Sequence, residues 1–568
     1  MNSYPEHAQK IDLYLERVTP FGFSGALLIA TRTDRGGWEA LLNTGYGMAD
    51  RRQGIPNTAQ TVFNLGSITK QFTAAGILKL EMMGALSTRD PLSRHLPGVP
   101  AGKAGITLHH LLTHTSGLQE TGRDDFEMVA RETMLAEILD PPLKFAPGER
   151  YEYSNAGYTV LAAVIEHVSG QQYEAFLHEH LFAPAGMEST GYRLPDWSGK
   201  SGNPVARWYK AGVDQGISLE KAYPSWSVIG NGEMLSTTGD MLLWHQALSG
   251  ETLLSGSALR KLYTPFLKNY AYGWEVQETP HGRLVHHGGA SLYGSSAEFD
   301  RYLDLGLVMI LFCNQDYGGA LSLAKLVRPK ITALVFGGEV GVPQPVFPVP
   351  EAELRPFAGL YRLPDSGDEL SAWVDDGALR IAGSGQQALN VLAFPDQEDP
   401  RPYQELNRRT QAIFEAAIAG DFSLLEAVAR DSEARLPVLK RIIGEQAGAV
   451  GAQGAHVSGT LPSSLIEGAL DTFVILTGPQ GEAPFIFLWQ DGKNIGLAQL
   501  PFDPRQIASM PFHPVSKQEL LKQEFLGYHL GAGQVVRIRF DLSPEGRPEG
   551  LAALGKKGEV FFSGVRPC

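Results

Sequence analysis

The sequence is poor in cysteine. Cys313 and Cys568 are the two cysteines among 568 residues, so a disulfide framework is excluded as the basis of the fold. Cys313 follows the apolar run from Val308 to Phe312. Because such a run is typical of a buried strand, we expect Cys313 to be a buried strand residue.

Long apolar segments and an excess of basic residues are also absent. No segment approaches the ~18 uninterrupted apolar residues of a transmembrane helix. The chain has 48 basic and 62 acidic side chains and a net charge of -14, which argues against nucleic acid or an anionic membrane as a partner. The segment from Met1 to Lys10 lacks the basic region and apolar stretch of a signal peptide. The sequence therefore predicts a cytoplasmic protein.

The length and the hydrophobic content predict several folded domains. A chain of 568 residues is too long for one compact domain, and two or three are expected. Hydrophobic residues make up 43% and charged residues 19% of the chain. This composition is sufficient for large cores and gives no sign of general disorder.

A serine three residues before a lysine is the first candidate for chemistry. Ser67 and Lys70 have this spacing, and residues three apart lie on one face of a helix, so the amine can reach the hydroxyl. A desolvated lysine can take the proton that a serine must lose to act as a nucleophile. The spacing alone carries little weight. Two other pairs share it, Ser218/Lys221 and Ser322/Lys325.

A second candidate is Tyr153, which is followed two residues later by Asn155. A Pro-Gly turn precedes the pair, and an apolar helix is predicted from Tyr158 to Val168. A loop held between a turn and a helix can point a phenol and an amide into a cleft. The alternative is a buried tyrosine followed by a helix cap, provided by Ser154 or Asn155.

The third candidate is the run His286-His287-Gly288-Gly289. Glycines let the backbone of a strand approach a ligand, and one amide there could donate to an oxyanion. Paired histidines could also bind a metal, but no acidic or cysteine partners lie nearby at a ligand-like spacing, so no metal site is predicted. The other histidines near helix and turn signals are expected to be ordinary: His109, His110, His114, His178 and His180.

These three segments, in this order, resemble the serine β-lactamase and penicillin-binding-protein family. The closest resemblance is to its class C-like branch of esterases, D-aminopeptidases and D-alanyl-D-alanine carboxypeptidases. Further similar stretches begin at Phe23, Gly45, Leu111, Phe182 and Gly230. The resemblance covers roughly residues 10–336. It implies a mixed α/β (α+β) catalytic domain, with an antiparallel sheet flanked by helices and a helical subdomain, and no cofactor.

The resemblance also implies roles for the first two segments. Ser67 would be the acylated nucleophile. Lys70 and Tyr153 would pass its proton to the leaving group and later activate the deacylating water. Asn155 would orient the carbonyl or amide side of the substrate. Whether Lys70 or Tyr153 is the general base stays open at this point.

For the third segment, the resemblance implies contacts with the substrate. The backbone amides of Ser67 and Gly289 would form the oxyanion hole. His286 stands where many relatives have the lysine of a Lys-Thr-Gly triplet, His287 stands in the threonine position, and Gly288 completes a His-x-Gly triplet. An unperturbed histidine is mostly neutral at pH 7, so this substitution weakens the recognition of a substrate carboxylate.

We therefore expect a serine hydrolase that acts on a small-molecule ester, amide or D-peptide. A β-lactamase or D-Ala-D-Ala carboxypeptidase is an alternative. An acyltransferase at the same site, and a sensor that is acylated without turnover, are two others. No nucleic-acid or membrane partner is expected.

Three domains are predicted from composition and pattern. Residues 1–338 form the catalytic domain, and prolines from Pro343 to Pro350 mark a linker. Residues 339–400 and 507–568 resemble the small lipocalin-like antiparallel barrel that follows the catalytic domain in many relatives. Residues 401–506 read as an α+β insertion within that barrel. Its predicted helices run from Asn407 to Ala419 and from Leu424 to Ala429, with a break at Gly420-Asp421, and the glycine- and alanine-rich stretch from Ala447 to Gly459 is expected to be a flexible loop. These accessory parts could shape the cleft or mediate a homo-oligomer.

Overall fold

The N-terminal region is centred on an antiparallel sheet of six strands. A computed structural model of the chain describes residues 4–197, 203–210, 212–291, 293–316, 322–364, 366–375, 377–393, 401–430, 432–462, 469–499, 510–530, 534–554 and 560–565. Across the sheet, the strands are Trp38–Tyr46, Gly25–Arg32, Leu307–Cys313, Ser296–Tyr302, Gly282–Ala290 and Glu275–Thr279. We name the strand Gly282–Ala290 the site strand.

The two faces of this sheet bury different side chains, because successive residues of a strand point to opposite sides. In the strand Leu307–Cys313, Ile310 and Phe312 join one hydrophobic core, while Leu311 and Cys313 join the other. Both faces are covered, so the strand is a continuous apolar run. The predicted burial of Cys313 in a strand is confirmed.

Helices cover both faces of the sheet. Tyr4–Val18 and Leu323–Val335 pack on one face. The first of these buries Ile11, Tyr14, Leu15 and Val18, which is the spacing of an amphipathic helix. The opposite side carries Lys70–Met82, Asn155–Ser169 and Thr238–Leu248, with the shorter Leu108–Leu112, Arg131–Leu139, Tyr173–Leu177 and Gly256–Leu262. None of the helices in the described ranges is long and apolar enough to cross a membrane.

The C-terminal part contains a closed antiparallel barrel, as predicted from the sequence. Its eight strands are Gly359–Arg362, Glu369–Asp375, Ala378–Ser384, Met510–His513, Glu524–His529, Gln534–Leu542, Pro548–Leu554 and Val560–Val565. The first and last strands pair through Arg362 and Val565. This closure removes the exposed strand edges.

A separate α+β unit interrupts the barrel between Ser384 and Met510. Its helices are Arg401–Ile418, Ser423–Val428 and Ser432–Val450, and its sheet contains Gly454–Pro462, Leu470–Gly478, Gly481–Gln490 and Lys493–Gln499. The connecting helix Gln386–Ala393 packs into the barrel core through Ala388 and Leu392. The mixed α/β fold class predicted from the sequence is confirmed.

Candidate active site

Ser67 and Lys70 lie in direct contact. Ser67 belongs to a short 3-10 turn that continues into the helix Lys70–Met82, so the hydroxyl and the amine share one face. Lys70 Nζ donates to Oγ of Ser67 at 3.0 Å. It also donates to Oδ1 of Asn155 at 2.8 Å and to the backbone carbonyl of Asn231 at 2.6 Å. The amine therefore has three oxygen neighbours.

The surroundings of Lys70 favour its neutral form. The side chain is fully buried, and burial lowers its pKa from 10.5 to about 7, against the opposing effect of three carboxylates. A neutral amine has two N–H bonds and one lone pair. The amide oxygen of Asn155 and the carbonyl of Asn231 can only accept hydrogen bonds. Once these oxygens hold the two N–H bonds, the lone pair faces Oγ of Ser67 and can accept its proton.

Tyr153 lies beside this pair. It precedes the helix Asn155–Ser169, whose N-cap is Ser154, and Lys70 Nζ lies 4.8 Å from the centre of the Tyr153 ring. The residue is 36% exposed. Burial of the phenol nevertheless raises its pKa above the ordinary value, and this effect outweighs a hydrogen bond with Ser67 that lowers the pKa. The phenol is therefore protonated in the resting site, where it can donate a proton.

The site strand lies directly against the Ser67 turn. A Cβ atom on Gly289 would lie 2.0 Å from the carbonyl oxygen of Leu65 and 3.0 Å from the backbone N of Ser67. Gly66 has a φ of +49°, and a Cβ there would lie 2.6 Å from the backbone N of Ala290. Glycine is required at both positions because the two backbones approach so closely. This approach brings amides of the turn and of the strand together, as an oxyanion hole needs.

His287 lies on the same face of the site strand as Gly289 and is neutral. Burial and the nearby Lys70 lower its pKa to about 3. Nδ1 lies 2.6 Å from the carbonyl oxygen of Gly288 and therefore carries the proton, so Nε2 accepts from the hydroxyl of Tyr270 at 2.9 Å. The imidazole is fixed in one tautomer and offers no positive charge to a substrate.

Comparison with known proteins identifies the family. A family model described as Beta-lactamase matches residues 22–330, more than half of the chain. The chain belongs to the β-lactamase family. The resemblance seen in the sequence is thereby confirmed, and the chain is a member of a family of serine hydrolases.

Two relatives come from Bacillus subtilis (strain 168). A penicillin-binding protein is 28% identical over 404 residues, which cover 66% of this chain and 87% of that protein. The PbpX protein is 34% identical over 282 residues, which cover 49% of this chain and 67% of that protein. The crystal structure of D-amino acid amidase from Ochrobactrum anthropi, complexed with L-phenylalanine amide, has a TM-score of 0.50 at 22% identity and covers 59% of this chain and 98% of that chain. This last likeness shows a shared fold.

The structure corrects the prediction for His286 in this β-lactamase-family site. Because strand residues alternate, His286 and Gly288 point away from the side that His287 and Gly289 share with Ser67. His286 lies among carboxylates of the neighbouring strand, and a Cβ on Gly288 would lie 2.9 Å from Oε1 of a buried glutamate there. The prediction that His286 contacts the substrate is therefore wrong. The His-x-Gly pattern also fits the run one residue later, which places His287 at the site.

Asn155 has a contact that the sequence did not predict. Its Oδ1 accepts from Lys70, so the amide oxygen positions the amine. Asn231 contributes the second oxygen, and its own side chain is held by Oγ1 of Thr159 at 2.8 Å and by the carbonyl of Ser227 at 2.7 Å. A substrate contact through the nitrogen of Asn155 stays a prediction.

His114, which was expected to be ordinary, packs on Tyr153. Their ring centres lie 4.2 Å apart, and the ring of Tyr270 is 4.4 Å away. Nδ1 of His114 accepts from the backbone N of Ser154 at 3.0 Å, so Nε2 carries the proton. Burial holds the pKa of His114 well below its usual range. We infer that this neutral ring positions Tyr153. The sequence signal that could have identified His114 as a site residue is the turn Leu-Leu-Thr-His-Thr-Ser-Gly in which it lies.

Carboxylates surround the site, and we name Glu120, Asp124 and Asp125 the acidic rim. Glu120 and Asp125 act on the charge of Lys70. Asp124 accepts from the hydroxyl of Tyr293 at 2.9 and 2.7 Å. Burial and Asp124 raise the pKa of Asp125 to about 6, which leaves it mostly ionised at neutral pH. The acidic rim therefore places negative charge on the side of the site that acts on Lys70.

Proposed function

We propose that the protein is a serine hydrolase that forms and hydrolyses an acyl-enzyme on Ser67. The observation that carries this proposal is the set of hydrogen bonds around Lys70. Two oxygens hold the N–H bonds of a neutral amine, and the third neighbour is the nucleophile. A lysine with a pKa of about 7 combines a sufficient neutral fraction with useful basicity at neutral pH.

The reaction follows from this arrangement. Oγ of Ser67 attacks the substrate carbonyl while its proton moves to Nζ of Lys70. The tetrahedral oxyanion is held by the backbone amides where the site strand meets the Ser67 turn. Cleavage of the C–N or C–O bond then releases the leaving group, which takes a proton from the phenol of Tyr153, and Lys70 restores that proton. Water attacks the acyl-enzyme by the same proton path in reverse, releasing the acid.

We further propose esters and D-amino-acid amides or peptides as substrates. The neutral His287 provides no cation for a carboxylate such as that of a penicillin or a D-alanine terminus. The acidic rim repels an anionic substrate and attracts an ammonium group. A substrate with a free amine near its acyl carbon matches this charge distribution, and D-amino-acid amides have that feature.

Covalent labelling tests the nucleophile. A fluorophosphonate probe should label the wild-type chain stoichiometrically and should fail to label Ser67→Ala. Ser218→Ala is the matched control, because Ser218 also precedes a lysine by three residues. This variant should be labelled like the wild type. Full labelling of Ser67→Ala would refute the assignment.

A hydrolysis panel tests the substrate class. It contains short nitrophenyl esters, amides of D- and L-amino acids, nitrocefin and D-alanyl-D-alanine peptides. We expect turnover of esters and D-amino-acid amides, with little cleavage of the anionic compounds. Preferential cleavage of nitrocefin would instead identify a β-lactamase, and label without turnover of any compound would identify a sensor.

A further inference from the structure

A second polar cluster lies on the face of the site strand that points away from Ser67. One ring nitrogen of His286 and one carboxylate oxygen each of Glu298 and Asp300 all lie within 4.8 Å of one another. The antiparallel register sets His286 opposite Asp300 and Gly288 opposite Glu298. These pairings bring the three side chains together on one face, and they are buried, with exposures of 6%, 3% and 1% for His286, Glu298 and Asp300.

Several atoms of this cluster have no hydrogen-bond partner in the described part of the chain. They are both ring nitrogens of His286 and Oδ1 of Asp300. A buried polar group left without a partner is destabilising, so a ligand that contacts these atoms would stabilise the fold.

We propose that His286, Glu298 and Asp300 bind one divalent transition-metal ion, and that this ion is Zn²⁺. Imidazole nitrogen and carboxylate oxygen are both Zn²⁺ ligands, at about 2.0–2.2 Å. Tetrahedral ligands at such distances lie about 3.3 Å apart, so small side-chain rotations are sufficient to close the group around an ion. The absence of a side chain on Gly288 leaves Glu298 free to make such a rotation.

There is also room for a fourth ligand. A cavity of about 10 Å³ is lined by Glu298, Asp300 and Arg328, together with apolar side chains such as Met309. A cavity of this size holds about one water molecule. His286 does not line this cavity, so a water in it would reach the ion from the side of the two carboxylates and would complete the four-coordinate arrangement that Zn²⁺ prefers.

The guanidinium of Arg328 does not occupy the same oxygens. Its Nε donates to Oδ2 of Asp300 at 2.7 Å, which leaves Oδ1 without a partner. One of its terminal nitrogens lies 3.7 Å from Oε2 of Glu298, beyond hydrogen-bond distance. Glu275, whose Oε2 lies 3.5 Å from Nε2 of His286, adds a further negative charge. Three carboxylates thus face two cations, Arg328 and Lys325, and one added cation improves this charge balance.

Metal titration of the full-length protein tests the proposal. The chain is stripped with a chelator and titrated with Zn²⁺ and with Co²⁺, whose visible ligand-field absorption reports four-coordinate nitrogen and oxygen ligands. Glu298→Gln, Asp300→Asn and His286→Ala each remove one ligand. Glu278→Gln is the control, because Glu278 is an exposed carboxylate on the adjacent strand Glu275–Thr279.

We expect one high-affinity ion per chain in the wild type and in Glu278→Gln, with at least tenfold weaker binding in each ligand variant. Circular dichroism shows whether each variant is folded, and an unfolded variant is set aside in favour of the other two. Unchanged binding in the folded ligand variants would mean that the ions sit on surface histidines, and would overturn the proposal. Absence of stoichiometric binding to the wild type would overturn it equally.

Discussion

Burying Lys70 has a cost in stability that depends on pH, and this cost can be measured. The pKa of Lys70 falls from 10.5 to about 7 in the folded protein, which corresponds to ~5 kcal/mol of unfavourable free energy for the charged form. Between pH 7 and pH 10 the unfolded chain binds more protons at this position than the folded chain. The free energy of unfolding of the wild type therefore rises with pH through this window.

The variant Lys70→Met removes this titration. We expect it to be inactive, and we expect the wild type to gain ~2 kcal/mol of stability relative to the variant between pH 7 and pH 9, at ~1.4 kcal/mol for each pH unit. Titrating groups that lie away from Lys70 cancel in the difference. Ser67→Ala is the matched control: it lacks the nucleophile but retains the amine, so it should follow the pH dependence of the wild type.

Cys313 provides a local probe for this measurement. It is buried in the central sheet, so pulsed thiol labelling in urea, in a Cys568→Ser background, reports the unfolding of the hydrophobic core that contains it. The difference in unfolding free energy between wild type and Lys70→Met is then plotted against pH. A difference that stays constant from pH 7 to pH 9 would refute the lowered pKa of Lys70 and its assignment as the general base.

Three further outcomes are expected. Tyr153→Phe should reduce turnover on the order of 10²-fold, the scale of lost general acid catalysis, while stoichiometric labelling of Ser67 persists; unchanged turnover would remove the phenol from the mechanism. Gly289→Ala should reduce kcat by about 10²-fold or more and should lower the Tm, because the new Cβ would lie 2.0 Å from the carbonyl oxygen of Leu65. A variant that stays active and stable would contradict the close approach of the two backbones. Asp125→Asn should raise KM for D-amino-acid amides and leave KM for neutral esters unchanged; equal effects on both would exclude charge recognition by the acidic rim.

The pairing of Ser67 with Lys70 was predictable because the two residues are close in sequence. Ser67 and Lys70 are brought together by one turn of helix, and the Tyr153 segment ends in the helix cap that its serine suggested. The sequence could not predict which oxygens hold Lys70. Asn231 is 161 residues away along the chain, and its contact depends on packing that no local pattern encodes.

The histidine pair shows why a strand motif is harder to place. His286 and His287 both fit a His-x-Gly pattern, and a shift of one residue reverses the face on which every side chain lies. The burial of the neighbouring Leu284 and Val285 in opposite cores decides the register. The carboxylates beside His286 come from the next strand, so the search for metal ligands close in sequence missed them.

The break between the first two helices of the inserted unit was predicted correctly, but one of its connections was not. A break at Gly420 separates helices as expected, since Arg401–Ile418 ends before it and Ser423–Val428 follows. The glycine- and alanine-rich stretch from Ala447 to Gly459 was expected to be a flexible loop. It instead continues the helix Ser432–Val450 and begins the strand Gly454–Pro462, because its alanines and valines pack in the core of the unit.

The point at which the barrel is interrupted has a consequence for engineering. Ile381 and Met510 are direct partners in adjacent barrel strands, so the polypeptide departs and returns at nearly the same place. A short linker spliced between the end of the helix Gln386–Ala393 and Met510 would reconnect the barrel and keep Ala388 and Leu392 in its core. The excised unit, which has its own core, could then be produced as an independent protein, while other cargo domains could be grafted at the vacated junction.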